Sequence, residues 1–125
     1  MDTKDLLLES IKKNLSEYYP DLEIIKKVNK SQYPYVIVRA EKAGVFAGNL
    51  TKEEGTKVIL KNARRLWYWE GAASLSQMAM EGTKKPSGCK FPCEVEEESI
   101  LGVCEILQTT ETAEKSIKEV PIWKM

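Results

Sequence analysis

Thr56-Lys57-Val58-Ile59-Leu60-Lys61-Asn62-Ala63-Arg64-Arg65-Leu66-Trp67-Tyr68-Trp69-Glu70 is the stretch whose reading decides the fold. It gathers Val, Ile, Leu, Trp and Tyr more densely than any other part of the chain, and such bulk suits a pleated surface. The expectation is a central strand, bulged near Asn62. Upstream, Lys52-Glu53-Glu54-Gly55 reads as a polar turn, Val45-Phe46-Ala47 as a short strand between Gly44 and Gly48, and Tyr35 to Ala40 as a strand entered after Pro34. Leu22 to Val28 is a further strand candidate. At the start of the chain, Leu7, Leu8, Ile11, Leu15, Tyr18 and Tyr19 recur at helical spacing, with Asp2 or Thr3 as cap and Pro20 as stop.

Downstream, Ser74-Leu75-Ser76-Gln77 has the form of a capping box, in which Ser and Gln side chains satisfy backbone N–H groups at a helix start. It predicts a helix over 75–81, closed by Gly82. Lys84 to Lys90 reads as a loop, Val95 to Leu107 as mostly extended, and Thr110 to Val120 as a second amphipathic helix before an extended Pro121-Ile122-Trp123. The sum is an α+β chain: a mainly antiparallel β-sheet with an N-terminal amphipathic helix and short helices near 75–81 and 111–120. At 125 residues, one domain is expected.

Composition narrows the function classes. Apolar residues make up 42% and charged residues 30%, a globular balance. The 19 basic and 19 acidic side chains cancel, which argues against tracking a long nucleic acid. No apolar run approaches the ~20 residues of a membrane span, and the N-terminus lacks a secretory layout, so the expected location is the cytoplasm. Three cysteines, Cys89, Cys93 and Cys104, are an odd set that fits reduced thiols. There is no histidine, which excludes Ser-His-Asp and Cys-His catalysis and the His-based zinc helix. Neither a dinucleotide fingerprint nor a phosphate-binding Gly-rich loop is present. Glu94, Glu96, Glu97 and Glu98 are the one acidic cluster. They suit a charged sheet edge as well as a hard cation, and neither a metal nor a cofactor is expected.

The strongest site candidate is Arg64-Arg65-Leu66-Trp67-Tyr68-Trp69. On a strand, Arg65, Trp67 and Trp69 share one face, and Arg64, Leu66 and Tyr68 the other. A guanidinium beside two indoles suits a nucleotide, whose base stacks while its phosphate is gripped. Ser74 and Ser76 at the helix start, with Lys84 and Lys85 in the next loop, extend the candidate ligand-binding set, and Lys90 adds charge in the same loop. Trp and Tyr on a central strand also serve as core, and strand arginines as cover for sheet edges. No catalytic residue is assigned.

The run Ala63-Arg-Arg-Leu-Trp-Tyr-Trp-Glu-Gly-Ala-Ala-Ser-Leu-Ser-Gln-Met-Ala-Met-Glu-Gly82, the triplet Lys90-Phe91-Pro92 and the ending Ala113 to Lys124 resemble a family of small bacteriophage and prophage proteins. The likeness spans roughly the last two thirds of the chain. It implies a viral or mobile-element origin and transfers no activity and no catalytic residue. With that origin, the expected function is non-enzymatic: sequestration of a small anionic nucleotide-derived signal of host immunity, with homo-oligomers expected. The alternatives are an accessory protein or inhibitor acting by protein–protein binding, and a metal-dependent enzyme degrading a nucleotide signal.

Overall fold

Tyr35–Ala40 forms β1, and its burial explains the architecture around it. Val36, Val38 and Ala40 point into one hydrophobic core while Tyr35 and Ile37 point into another. A strand buried on both faces has to lie between two apolar layers. This is seen in a computed structural model that describes residues 33–125. The expected N-terminal helix and the strand expected at Leu22–Val28 lie outside the described residues.

Gly44–Glu54 is β2, Lys57–Arg65 is β3, Val95–Ile100 is β4 and Val103–Gln108 is β5. Leu75–Glu81 is helix α1 and Glu111–Glu119 is helix α2, with a single 3-10 turn at Pro86–Gly88 between α1 and β4. The five strands lie in the order β4-β3-β2-β1-β5, and every neighbouring pair is antiparallel. The α+β class and antiparallel sheet expected from the sequence are thus present, with helices over 75–81 and 111–119.

Only Leu101 and Gly102 separate β4 from β5, yet these strands occupy opposite edges of the sheet. The sheet therefore has to curl until its edges meet. One hydrogen bond marks the closure, from Val103 N–H to the Thr56 carbonyl at 2.8 Å, while that from Glu41 N–H to the Gly102 carbonyl at 3.1 Å continues the β1–β5 ladder. The inner face holds Val36, Val38, Ala40, Phe46, Val58, Leu60, Ala63 and Ile100. On the outer face, α1 and α2 bring Met78, Ala79 and Ile117 onto Tyr35, Ile37, Ala47 and Leu66.

A bulge in β3 decides which side chains reach which core. Ala47 pairs with Arg64 but Asn49 pairs with Lys61, so β3 carries one extra residue between them. Asn62 has φ of 53°, a left-handed conformation that Asn tolerates, as expected for a bulge near Asn62. Opposite it sits Gly48, where a Cβ would lie 3.0 Å from the Lys61 carbonyl oxygen and 3.1 Å from the Ala63 Cα. Uninterrupted alternation would put Arg64 on the face of Leu60. The bulge instead puts Ala63 inside with Leu60 and turns Arg64 toward the helices.

Three boundaries differ from the sequence expectation. β2 continues through Lys52, Glu53 and Glu54, because those polar side chains project into solvent while their backbone pairs with β3. The segment expected as one strand to Glu70 ends its regular pairing at Arg65. Val95 to Leu107 is two strands, divided where Gly102 adopts φ of 74°.

Candidate functional site

Past Arg65 the chain leaves the sheet and joins a narrow ribbon of three short segments. Leu66 is buried and its N–H is held by the Val45 carbonyl at 2.9 Å. Tyr68 pairs antiparallel with Lys90, and Phe91 pairs parallel with Ile122. The bonds are Lys90 N–H to the Tyr68 carbonyl at 2.8 Å and Trp123 N–H to the Phe91 carbonyl at 3.0 Å. Phe91 is fully buried and anchors the middle segment.

This ribbon brings Trp67 and Trp123 face to face, with ring centroids 5.1 Å apart and planes within 1° of parallel. The pair stays open to solvent: Trp67 is 58% exposed, Trp123 40% and Tyr68 44%. The Lys90 ammonium lies 5.4 Å from the Trp67 ring, 5.5 Å from Tyr68 and 5.7 Å from Trp123. Near-equal distances to two parallel rings place the charge beside the stack and not on either outer face. Large exposed aromatics at a cation are uncommon on a surface that needs only solubility. They are the candidate binding surface.

Glu70 borders the platform. It accepts from the Tyr68 hydroxyl at 3.4 Å and pairs with Lys85 at 3.3 Å. Gly88 packs so closely on the Glu70 carboxylate that a side chain at 88 would overlap it. Beneath, the Glu70 carbonyl accepts from the Thr83 hydroxyl and from the buried Cys89 thiol at 2.5 and 3.5 Å, which ties the loop after α1 to the ribbon. Cys93 and Cys104 are exposed, and all three cysteines are free.

The other expected site residues are spread apart. Arg64 is 2% exposed, and its five N–H donors meet the carbonyls of Pro92, Ile117, Lys118, Phe91 and Val120 at 2.6 to 3.5 Å. Three of those carbonyls lie at the C-terminal end of α2, where the helix dipole favours a cation. Burial pulls the Arg64 pKa below the usual guanidinium value, and the group stays protonated. The bulge at Asn62 is the physical reason that Arg64 serves the fold and is withdrawn from any ligand.

Arg65 goes elsewhere. It lies over the Phe46 ring at 4.4 Å, donates to the Ala43 carbonyl at 2.7 Å and approaches Glu98 at 3.8 Å. It thereby closes the open end of the curled sheet, beside a groove of about 570 Å³ that also includes Lys42, Ser99 and Leu101. Trp69, expected to share a face with Trp67, is partly buried against the helix-side core. The ribbon turns after the strand ends, so period-two alternation no longer holds there.

Ser74 caps α1 by accepting from Gln77 N–H at 3.1 Å, while the Gln77 side chain accepts from Ala73 N–H at 2.8 Å. The cap is thus already satisfied from within. Ser76 and Lys84 are exposed, and Lys85 is the only one of these four drawn to the platform's border, through Glu70. A second cavity of about 660 Å³, between the loop at Thr83–Ser87 and α2, includes Lys115 and Ser116. Sequence reasoning counted Lys90 only as added charge in the loop and missed Trp123 as the partner of Trp67, and no local pattern links positions 67, 90 and 123.

No curated protein and no solved structure matches the chain. A family model described as a domain of unknown function (DUF6948) matches residues 33–117, from β1 into α2, and takes in Trp67, Tyr68 and Lys90. A match over that share of the sequence makes the chain a member of the DUF6948 family.

Proposed function

We propose that the protein is a non-enzymatic binding protein whose surface at Trp67, Tyr68 and Lys90 takes a small, flat, anionic ligand of the nucleotide type. The observation that carries this reading is the parallel indole pair with one ammonium beside it. An indole face attracts a nucleobase by stacking, about 1–3 kcal/mol per base, and a flanking lysine supplies the charge for a phosphate. In the phage setting that the sequence resemblance implies, such binding sequesters a nucleotide-derived signal of host immunity.

Calorimetric titration with mononucleotides, cyclic dinucleotides and ADP-ribose tests the reading. The expected result is binding by at least one of them, weakened about tenfold or more in Trp67→Ala. Absence of heat with every compound at micromolar protein sinks it. Heating the complex separates holding from turnover, because a binding protein returns its ligand intact.

A second reading is a protein partner at the same surface. Its support is Ile122, 57% exposed beside Trp123, which adds an aliphatic side chain to an aromatic patch of the kind enriched at interfaces. A stoichiometric host protein captured by the unaltered chain and lost in Trp67→Ala would favour it over a small ligand.

A further inference from the structure

The platform already contains a stacked ring, and that ring comes from the segment that follows α2. Trp123 lies on Trp67 at 5.1 Å and 1°, the arrangement a bound base would adopt. The Lys90 ammonium stands beside this stack, within 0.3 Å of equidistant from the two indoles at 5.4 and 5.7 Å. A phosphate carried by a base on an outer face would sit away from that charge. A base in the plane now held by Trp123 would carry its phosphate toward it.

The segment that delivers Trp123 is short and held at its root. Arg64 grips the Val120 carbonyl at 2.6 Å, and Pro121 follows as a stiff, exposed residue. Beyond that point Ile122 and Trp123 are more than a third exposed. Their backbone is tied by the isolated Phe91–Ile122 bridge, with Trp123 N–H on the Phe91 carbonyl at 3.0 Å. One isolated bridge, one ring stack and the Lys90 contact are within the reach of a competing ligand.

We infer that the C-terminal segment Pro121–Met125 is an intramolecular competitor: Trp123 occupies the ligand's stacking position on Trp67, and the ligand binds by displacing it. This rests on the nucleotide reading of the same surface. The anchored root at Val120 stays in place and the segment beyond Pro121 swings away. Affinity is lowered by the fraction of molecules in which Trp123 is already seated, so removing the ring raises it.

The test compares the unaltered protein with Trp123→Ala and Trp123→Phe, using AMP and GMP as probes in calorimetry and the far-UV exciton couplet of the indole pair as a second signal. Melting curves verify that both variants fold. Trp123→Ala is expected to bind roughly tenfold more tightly, Trp123→Phe to stay near the unaltered protein because a ring is retained, and the couplet of the unaltered protein to vanish on saturation. Equal or weaker binding by Trp123→Ala, or a couplet that survives saturation, overturns displacement and leaves the nucleotide reading standing. Absence of AMP and GMP binding in all three proteins overturns displacement, and the nucleotide reading falls with it when cyclic dinucleotides and ADP-ribose give no heat either.

Discussion

Arg64 donates to the carbonyl oxygen of Val120 at 2.6 Å, across 56 residues of sequence. The same guanidinium holds Ile117 and Lys118 in the last turn of α2 and Phe91 and Pro92 in the ribbon, so one side chain joins β3, the second helix and the base of the platform. The Phe91 and Ile117 carbonyls also accept from Trp123 N–H and Val120 N–H, so loss of Arg64 would strand chiefly the carbonyls of Pro92, Lys118 and Val120.

Substitution of Arg64 should therefore be among the most damaging single changes. A buried carbonyl left unsatisfied costs about 1–3 kcal/mol, and several are involved, so Arg64→Met is expected to lose at least about 3 kcal/mol. Arg64→Lys should lose about 2 kcal/mol or more, since one ammonium cannot span both groups of carbonyls. Urea unfolding monitored by circular dichroism measures both. Unchanged midpoints would show that the contacts carry little net energy.

Tyr35 offers the opposite case. Its hydroxyl is buried and has no hydrogen-bond partner, so Tyr35→Phe should be neutral or stabilising by up to about 1 kcal/mol. Burial, aided by the negative fields of Glu94 and Glu114, pushes its pKa well above the usual phenol value. The unfolded chain loses this proton from about pH 10 upward while the folded chain keeps it. Folded protein then binds more protons than unfolded, so stability falls as pH rises, by about 1.4 kcal/mol per pH unit from this group. Unfolding midpoints compared between Tyr35→Phe and the unaltered protein from neutral to alkaline pH isolate it: their difference should widen above about pH 10.

The bulge makes demands on two residues. Gly48→Ala presses a methyl against backbone atoms of Lys61 and Ala63, and overpacking of that kind costs about 1–3 kcal/mol. Asn62→Val forces a β-branched residue into the left-handed region at about 1–2 kcal/mol, whereas Asn62→Gly should stay within about 0.5 kcal/mol. Chemical denaturation of the three variants ranks them, and an undisturbed Asn62→Val would contradict the bulge.

Lys90 is exposed and makes its recorded side-chain contacts only with aromatic rings, so its removal should spare the fold. Lys90→Ala is expected to keep the melting temperature within about 3 °C while weakening an anionic ligand about tenfold, and to make binding less sensitive to salt. Calorimetry at two ionic strengths reads this out. A large loss of stability with unchanged affinity would assign Lys90 to the fold instead.

Local pattern carried the elements that depend on local physics. Tyr35–Ala40 is β-branched and short, Ser74 and Gln77 form a capping pair, and Thr110 starts a helix by accepting from Ala113 N–H, all recognisable from neighbouring residues. The bulge was also legible, because Asn is among the few residues that accept a positive φ. Its consequence was not legible. A bulge inverts the facing of everything beyond it, and whether Arg64 or Arg65 goes inward depends on how many residues the partner strand sets opposite.

The sequence by itself determined an α+β chain with a mainly antiparallel sheet, short helices near 75–81 and 111–120, and a set of aromatic and cationic residues dense around position 67. Only the tertiary structure decided that Arg64 caps a helix, that Arg65 closes the curled sheet, that Trp69 packs inward, and that Trp67 meets Lys90 and Trp123. Elements follow from hydrogen bonding and side-chain periodicity within a few residues. The platform follows from two isolated backbone pairings, Tyr68 with Lys90 and Phe91 with Ile122, between segments far apart in the chain, where no local preference specifies a partner.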